Sequence, residues 1–204
     1  MSVQDKDRIP AFETTANGLP RVVSVASDVT HRFSKPVREF VRLIAGYGIE
    51  GDAHAGAMVQ HRYLAKRNAS LPNLRQVHLI QAELFDALGL EGYAVHAGAL
   101  GENITTRGVD LLALPLGTQL RLGATAIIEL TGLRVPCSYI DKFKLGLKRK
   151  MIIRGADGPP YRAGVMAVVI ASGEVKPGDP VNVTFQQARG SRYPRCHNYS
   201  TDNA

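Results

Sequence analysis

Short apolar runs separated by glycine turns constrain the fold of this chain more than any other feature of its sequence. The runs 21–26 (RVVSVA) and 165–171 (VMAVVIA) are rich in β-branched residues, which favours strands over helices. The segments on either side of Gly123-Ala124 predict a β-hairpin. Only residues 143–153 suggest a longer helix. The pattern therefore predicts a mainly β domain, built as a barrel or a sandwich with small helices.

The chain divides into one folded unit and two polar ends. A length of 204 residues suits one large domain or two small ones, and we place a single folded domain at residues 21–185. Residues 1–20 contain Pro10, Asn17-Gly18 and Pro20, and are expected to form an extended N-terminal arm. Residues 186–204 are polar and lack apolar periodicity, which predicts a flexible C-terminal tail.

Two segments inside this unit have alternations that specify faces. Residues 77–80 predict a strand that leads into a helix over 81–88, with Gly89 as its stop. Residues 102–106 predict another strand. Because side chains alternate along a strand, Asn103 and Thr105 are then expected to share one face.

Positive charge is concentrated in one part of the sequence. The chain has 25 Lys and Arg against 18 Asp and Glu, a net charge of +7. Eight of the basic residues fall between Arg134 and Arg162, where only Asp141 and Asp157 oppose them. A basic field favours an anionic partner, such as a phosphorylated small molecule, a nucleic acid or an acidic membrane surface. A solvated basic helix face is the alternative.

The sequence predicts a cytoplasmic protein. Its first residues lack the apolar segment of a secretory signal, and no apolar run reaches the length of a membrane span. We therefore expect a reducing compartment and no membrane partner. A reducing compartment argues against a disulfide between Cys137 and Cys196, the two cysteines of the chain.

Cys137 is the strongest candidate for chemistry. Pro136 fixes its own backbone angle and restricts the residue before it, so the thiol is expected on a rigid turn. Arg134 is a candidate anion-binding group, and nearby positive charge favours a thiolate, the nucleophilic and metal-binding form. The alternative is that Cys137 is simply a small buried apolar residue.

Two glycine-rich loops carry further polar candidates. In residues 48–56 (GIEGDAHAG), Asp52 and His54 could orient each other or a substrate. In residues 98–108 (GALGENITTRG), the amide of Asn103 and the hydroxyl of Thr105 suit a polar ligand such as a pterin edge or a phosphate. The spacing alone leaves open that both loops are ordinary turns.

Several function classes lack their sequence signatures. The six histidines form no recognisable zinc set, and the chain has no CxxC, HExxH, GxSxG, P-loop or dinucleotide-binding fingerprint. It also has no tryptophan and no aromatic RNA-binding motif, which disfavours nucleic acid as the partner.

Taken together, these segments resemble the MOSC family, which is named for the C-terminal domain of molybdenum cofactor sulfurases. The matching stretches run in family order, and they are GIEGDAHAG (48–56), RQVHLIQAELFD (75–86), GALGENITTRGVDLLALPLGTQLRLG (98–123), TGLRVPC (131–137), AGVMAVV (163–169) and GEVKPGD (173–179). The chain looks most like short stand-alone bacterial members, which lack the sulfurase domain and would act without pyridoxal phosphate.

The resemblance implies a fold and a cofactor. The fold would be a closed β-barrel of the pyruvate-kinase-barrel-like kind with short peripheral helices, and the cofactor would be the molybdenum cofactor (molybdopterin). Cys137 matches the cysteine that supplies a thiolate to molybdenum in reductase members, and His54 matches the histidine of the GDAHAG loop and is taken as catalytic. The family's pterin-facing motifs imply cofactor binding by a further set, namely Glu102, Asn103, Thr105 and Arg134.

Three functions remain open at this point. The first is a reductase of N-hydroxylated or N-oxide small molecules, which needs an electron-donor reductase because nothing in the chain matches a flavin or nicotinamide site. The second is a sulfur carrier that holds a persulfide on Cys137 and takes sulfur from a donor protein. The third is a non-catalytic basic module that binds anions or nucleic acid with a steep salt dependence.

Overall fold

The computed structural model describes residues 18–60, 62–153 and 161–184, and within them the protein is mainly β with a few short helices. The strands are Arg21–Ala26 (β1), Val37–Arg38 (β2), Val41–Ile44 (β3), Gly48–Ile49 (β4), Val77–Gln81 (β5), Ile104–Arg107 (β6), Gln119–Leu122 (β7), Ala126–Leu133 (β8), Val165–Ala171 (β9), Gly173–Val175 (β10) and Val181–Thr184 (β11). The helices are Arg62–Arg67 (α1), Ala82–Leu90 (α2), Tyr139–Phe143 (α3) and Leu147–Lys150 (α4).

Eight strands form one mixed sheet, in the order β11-β7-β8-β9-β5-β6-β1-β2. All of its neighbours are antiparallel except β5 and β6. A parallel pair needs a crossover connection, and α2 lies within the segment that joins these two strands. A second sheet holds β10, β3 and β4.

The main sheet curls until β11 comes beside β1, but these two strands meet through few hydrogen bonds. The amide of Val22 donates to the carbonyl of Asp179 at 2.8 Å, and the amide of Val181 donates to that of Pro20 at 3.0 Å. These contacts surround one isolated β-bridge, while β2 continues the sheet beyond β1. The closed barrel expected above is therefore not found among the described residues, because no continuous ladder joins β11 to β1.

Two apolar clusters stabilise this arrangement. The larger lies inside the curled sheet, where β8 alternates buried and half-buried positions and points Ala126, Ile128 and Leu130 inward. The smaller packs one face of the sheet against α2, α3 and α4, and includes Ile80, Leu88, Leu100, Ile140 and Leu147. Removing one such leucine side chain typically costs about 2–5 kcal/mol. The second cluster matters most for function, since Cys137 packs against it.

Several predicted elements are confirmed, including β1, β9 and the β7–β8 hairpin. The predicted end of α2 is wrong, because the helix runs through Gly89 to Leu90. Gly92, at a φ of 83°, terminates it instead, and the next amide, that of Tyr93, donates to the carbonyl of Leu88 at 2.8 Å. This left-handed glycine cap satisfies carbonyls that the last turn leaves open.

Two further expectations are corrected. Residues 143–153 do not form one helix, since Gly146 has a φ of 81° and separates α3 from α4. A side chain at Gly146 would also lie 2.8 Å from the hydroxyl of Tyr93. The strand predicted over 102–106 begins only at Ile104.

The two ends of the chain cannot be compared with their predictions. The expected arm at residues 1–20 lies outside the described residues except for 18–20, and the expected tail at 186–204, with Cys196, lies wholly outside them. Among the helices that the structure describes, none has the length and apolar character that a membrane crossing requires.

Candidate active site

Cys137 lies in the short segment between β8 and α3. The preceding Pro136 is buried, and the carbonyl of Cys137 accepts a hydrogen bond from the amide of Ile140 at 3.2 Å. The cysteine itself is half-buried and is a free thiol. The proline and the start of α3 thus hold the thiol in place, as predicted, and leave part of it open.

Arg134 connects this thiol to a buried histidine. Its guanidinium donates to Sγ of Cys137 at 3.8 Å from one nitrogen, and to Nδ1 of His78 at 3.4 Å from the other. The Nε2 atom of His78 lies 2.9 Å from the carbonyl of Ala163. Because a carbonyl can only accept, Nε2 carries the proton and Nδ1 is free to accept from Arg134.

His78 is therefore held neutral. His78 lies in β5 and is fully buried. Burial, together with the positive charge of Arg134, lowers the pKa of His78 well below its usual range. A neutral imidazole can accept from the guanidinium, whereas a protonated one would repel it. His78 is thus a positioning residue for Arg134.

Two substitutions separate the two hydrogen bonds of His78. An asparagine amide can place its oxygen near the position of Nδ1, and a glutamine amide can place its nitrogen near that of Nε2. We expect His78→Asn to keep the contact with Arg134 and to lose the bond to Ala163, which costs about 1–3 kcal/mol of unfolding free energy. We expect His78→Gln to keep that stability and to lose the acceptor for Arg134.

The measurement is the alkylation rate of the Cys137 thiol beside thermal unfolding of each variant. His78→Gln should change the alkylation rate at a fixed pH, since the guanidinium is no longer held beside the sulfur. His78→Asn should leave that rate close to wild type. A common loss of stability with unchanged thiol reactivity in both variants would show that His78 has only a structural role.

Asp52 is the centre of a second, buried group of polar side chains. Its Oδ2 accepts from the ammonium of Lys35 at 2.7 Å and from the amide nitrogen of Asn103 at 2.9 Å. Its Oδ1 accepts from the backbone of His54 at 2.9 Å, and the backbone of Asp28 adds a weaker contact to Oδ2 at 3.3 Å. The Lys35 and Asp52 side chains are 2% and 0% exposed, so this ion pair is shielded from solvent.

The titration of this pair follows from its burial. Burial alone raises the pKa of Asp52, but the hydrogen bond from His54 and the charge of Lys35 outweigh it and hold that pKa well below its usual range. Burial lowers the pKa of Lys35, and the charge of Asp52 opposes this. The positive charge of Arg134 also lowers the pKa of Lys35, which places the two groups in one electrostatic environment.

His54 forms the exposed side of the same group. Its Nδ1 lies 3.3 Å from Oδ1 of Asp52, and one third of the side chain is exposed. The ring stacks on His31 with centroids 5.1 Å apart. Of the alternatives that the sequence left open for Asp52 and His54, the structure shows that they orient each other. Because Nδ1 faces the carboxylate, Nε2 is the atom available to a ligand.

Asn103 ties the two groups together. Its side-chain oxygen accepts from the backbone amide of His78 at 3.2 Å, and its amide nitrogen donates to the carbonyl of Ala26 at 3.1 Å as well as to Asp52. Asn103 is 2% exposed. It thus fixes β5 against the loop of Asp52.

Glu102 and Thr105 lie behind Asn103. Glu102 is fully buried, and its carboxylate accepts from the backbone amides of Gly98 and Leu100 and from the Thr105 hydroxyl. Burial raises the pKa of Glu102, although these hydrogen bonds oppose the shift. Thr105 therefore pairs with Glu102, and both residues support the loop.

The glycines of this loop permit close contact with the segment that carries Lys35. Gly98 and Gly101 have φ values of 80° and 81°, and a Cβ atom there would lie 2.3 and 2.4 Å from the carbonyl oxygens of Lys35 and Phe33. No side chain fits at such distances. The GALG sequence is thus needed to place the Lys35 ammonium beside Asp52.

The structure brings five of the sequence candidates into one connected cluster, and they are Cys137, Arg134, Asn103, Asp52 and His54. Two members were missed, Lys35 and His78. A histidine inside the buried run VHLI was a usable signal, since polar residues in a fully buried strand need a partner. Lys35 gave no local signal, because its partner is 17 residues away.

Comparison with known proteins identifies the fold. The MOSC domain profile matches residues 59–182. The structure is similar to that of the YuaD protein from Bacillus subtilis, with a TM-score of 0.65 and 20% identity over 82% of this chain and 98% of that chain.

A second solved structure, YiiM from Geobacillus stearothermophilus, has a TM-score of 0.61 at 19% identity and covers 83% of this chain and 77% of its own. YiiM from Escherichia coli has a TM-score of 0.56 at 20% identity and covers 81% and 70%. At these identities the similarities show the fold alone. Among curated proteins, no sequence matches the chain.

The profile match spans more than half of the chain and contains Cys137, Arg134, His78 and Asn103, whereas Lys35, Asp52 and His54 precede it. The chain therefore belongs to the MOSC domain family, which is related to the C-terminal domain of molybdenum cofactor sulfurases and is associated with the molybdenum cofactor.

Proposed function

We propose that the protein binds the molybdenum cofactor through Cys137 and reduces N-hydroxylated or N-oxide compounds with electrons from a partner reductase. The observation that carries the proposal is the half-buried Cys137 thiol, whose Sγ accepts from the Arg134 guanidinium at 3.8 Å. The proposal sets the protein in the cytoplasm, where a free thiol stays reduced.

The donor set fits a metal that brings most of its own ligands. Within the described residues, no three His, Cys, Asp or Glu side chains lie close enough to hold a metal ion together. Cys137 offers one soft sulfur, which suits a soft or borderline metal centre. A pterin-bound metal needs only one such protein ligand, so the residues present are compatible with this cofactor.

The charge of the site suits an anionic ligand. Arg134 can bind a phosphate or carboxylate with two nitrogens, whereas the charge of the buried Lys35 is already neutralised by Asp52. His78 holds Arg134, and Asn103 holds the loop of Asp52 against β5. Glu102 and Thr105 contribute by supporting that loop. In this assignment Arg134 and Asn103 border the cofactor.

The reaction needs two electrons and two protons, since R–NH–OH with these gives R–NH₂ and water. When bound, the cofactor supplies the two-electron redox chemistry. His54 is placed to supply a proton, because Asp52 fixes its Nδ1 and one third of its side chain is exposed. The electrons come from a separate donor protein, because the sequence has no flavin or nicotinamide motif.

The test is the molybdenum and pterin content of anaerobically purified protein, together with its reduction of an N-hydroxylated purine by reduced methyl viologen. We expect near-stoichiometric metal and pterin and a measurable rate. Protein that is folded yet empty, from a host with ample cofactor, would contradict the proposal. An extra sulfur on Cys137 without reductase activity would favour the sulfur carrier instead.

A further inference from the structure

A basic and aromatic surface begins two residues after Cys137. We call it the α3–α4 surface, and it consists of Phe33, Tyr139, Lys142, Phe143, Leu145, Lys148 and Arg149. Its parts are in contact. The ring of Phe33 lies 6.2 Å from that of Tyr139 and 6.0 Å from that of Phe143, and the ammonium of Lys142 lies 4.8 Å from the Tyr139 ring.

The apolar part of this surface is unusually exposed. Tyr139 is 55% exposed, Phe143 37% and Leu145 87%. Single exposed apolar residues are common, but a connected group beside charged residues marks an interaction site. Aromatic residues and arginine are the types enriched at protein interfaces.

The charged part is almost wholly positive. Asp141 is the one acidic residue between 139 and 150, and its carboxylate already accepts from the backbone amide of Lys148 at 2.8 Å. Lys150 pairs with Glu91 at 2.7 Å, so its charge is partly compensated. In the described part of the chain, the Lys148 and Arg149 side chains have no hydrogen-bond or ion-pair partner.

We propose that the α3–α4 surface is the docking site of a small acidic electron-transfer protein that delivers electrons to the site at Cys137. The inference rests on the proposed function and names its partner. Each reduction needs two electrons, so two molecules of a one-electron donor are oxidised per product formed. The two protons come from solvent, and His54 passes one of them to the substrate.

Charge complementarity and composition favour an acidic protein over other anionic partners. An apolar centre with a charged rim is the usual anatomy of a protein interface, and electron-transfer complexes have small ones. A membrane-surface helix would need more length than the five and four residues of α3 and α4. A single-stranded nucleic acid would need open ring faces, whereas Phe33 and Tyr139 already stack on each other.

The location suits electron delivery. Only Ser138 lies between Cys137 and Tyr139, so their Cα atoms are two steps of the chain, or at most about 7.6 Å, apart. Ile140, between Tyr139 and the charged residues, is buried in the cluster that also contacts Cys137. A protein seated on this surface would thus lie directly over the cysteine's own segment.

The test reverses the charge of the surface in the full chain. The variant is Lys142→Glu, Lys148→Glu and Arg149→Glu. The matched control reverses three exposed basic residues elsewhere, namely Lys66→Glu, Arg121→Glu and Lys176→Glu. The probes are an acidic [2Fe–2S] ferredoxin and an acidic flavodoxin, with binding measured by calorimetry. We expect wild type and control to bind one of them, more weakly as salt rises, and the triple variant to bind at least about 10-fold more weakly.

Activity then separates the two proposals. The triple variant should lose at least about 10-fold of its rate with the protein donor and keep its rate with reduced methyl viologen, which needs no docking. A wild type without activity from either reductant would overturn the proposed function, while binding would still report on the surface.

Absence of salt-dependent binding to both probes would overturn the docking proposal, even if the variant fails to fold. Equal weakening in the control would also overturn it, as would tighter binding of anionic vesicles or DNA through the same three residues.

Discussion

Replacing Cys137 with serine is expected to remove molybdenum from the protein and to leave its fold intact. A serine hydroxyl is a harder ligand that stays protonated near neutral pH, so it does not replace a thiolate on a soft or borderline metal. Removing a residue that only hydrogen-bonds to a metal ligand typically costs roughly 10–100-fold in metal affinity or activity, so removing the ligand itself should cost at least as much. We therefore expect the molybdenum content to fall at least about 10-fold, with reductase activity lost alongside it.

Stability should change little, because Cys137 is half-buried and serine has nearly the same shape. We expect the unfolding free energy to stay within about 1 kcal/mol of wild type. The matched control is Cys196→Ser, which should keep its metal. Elemental analysis and pterin fluorescence measure both quantities, and pterin retained without metal would define Cys137 as the ligand. Full metal content in Cys137→Ser would show that another group holds the cofactor.

The sequence predicts those parts of the site that have local signals. Pro136 marks the rigid turn at Cys137. The short spacing of Asp52 and His54 within GDAHAG makes their contact one of the possibilities, and the structure shows it at 3.3 Å. Local backbone chemistry carries this information. The roles of these residues toward a cofactor stay predictions.

Features that depend on distant segments could not be predicted. The ion pair of Lys35 and Asp52 forms because glycines at 98 and 101 let another loop pack closely, and no local pattern shows that packing. The incomplete junction between β1 and β11 also depends on distant segments, and no local pattern shows it. Alternation identifies each strand, but it does not tell whether the first and last strands of a sheet form a full ladder.

Replacing Asp52 with asparagine is expected to destabilise the protein more than any other single change of a charged residue that we predict here. The ammonium of Lys35 would remain buried at 2% exposure without a carboxylate. Removing one partner of a buried pair typically costs about 3–5 kcal/mol. For a domain of this size, that corresponds to a fall in Tm of roughly 6–20 °C.

A matched control isolates the effect of burial. Asp86 forms an ion pair with Arg107 at the same 2.7 Å, but its side chain is 61% exposed. Exposed pairs contribute about 0–1 kcal/mol, so Asp86→Asn should change the unfolding free energy by no more than that. If Asp52→Asn and Asp86→Asn lose equal stability, the buried pair is not the source of the effect.

The double variant Lys35→Met and Asp52→Asn tests the pair directly. Methionine fills much of the space of the lysine stem without its charge, so the double variant should be more stable than the sum of the two single changes predicts. Contacting residues usually show interaction energies of about 0.5–3 kcal/mol in such a cycle. Simple additivity would mean that the two side chains stabilise the fold independently.

The pH dependence gives the pair a second signature. In wild type the pKa of Asp52 is lowered, so its carboxylate contributes stability above the unfolded value of about 3.9 and loses it as the pH falls further. In Asp52→Asn that acid-dependent loss should shrink.

The pKa of Lys35, which burial already lowers, should fall further once the opposing carboxylate is gone. Between the lowered pKa of Lys35 in the folded variant and the unfolded value of about 10.4, the unfolded chain binds more protons than the folded one. Stability therefore rises with pH in this interval, and the deficit should narrow toward pH 10. Urea unfolding of both proteins at several pH values measures this, and a deficit independent of pH would show that lost packing, rather than an unpaired ammonium, causes the destabilisation.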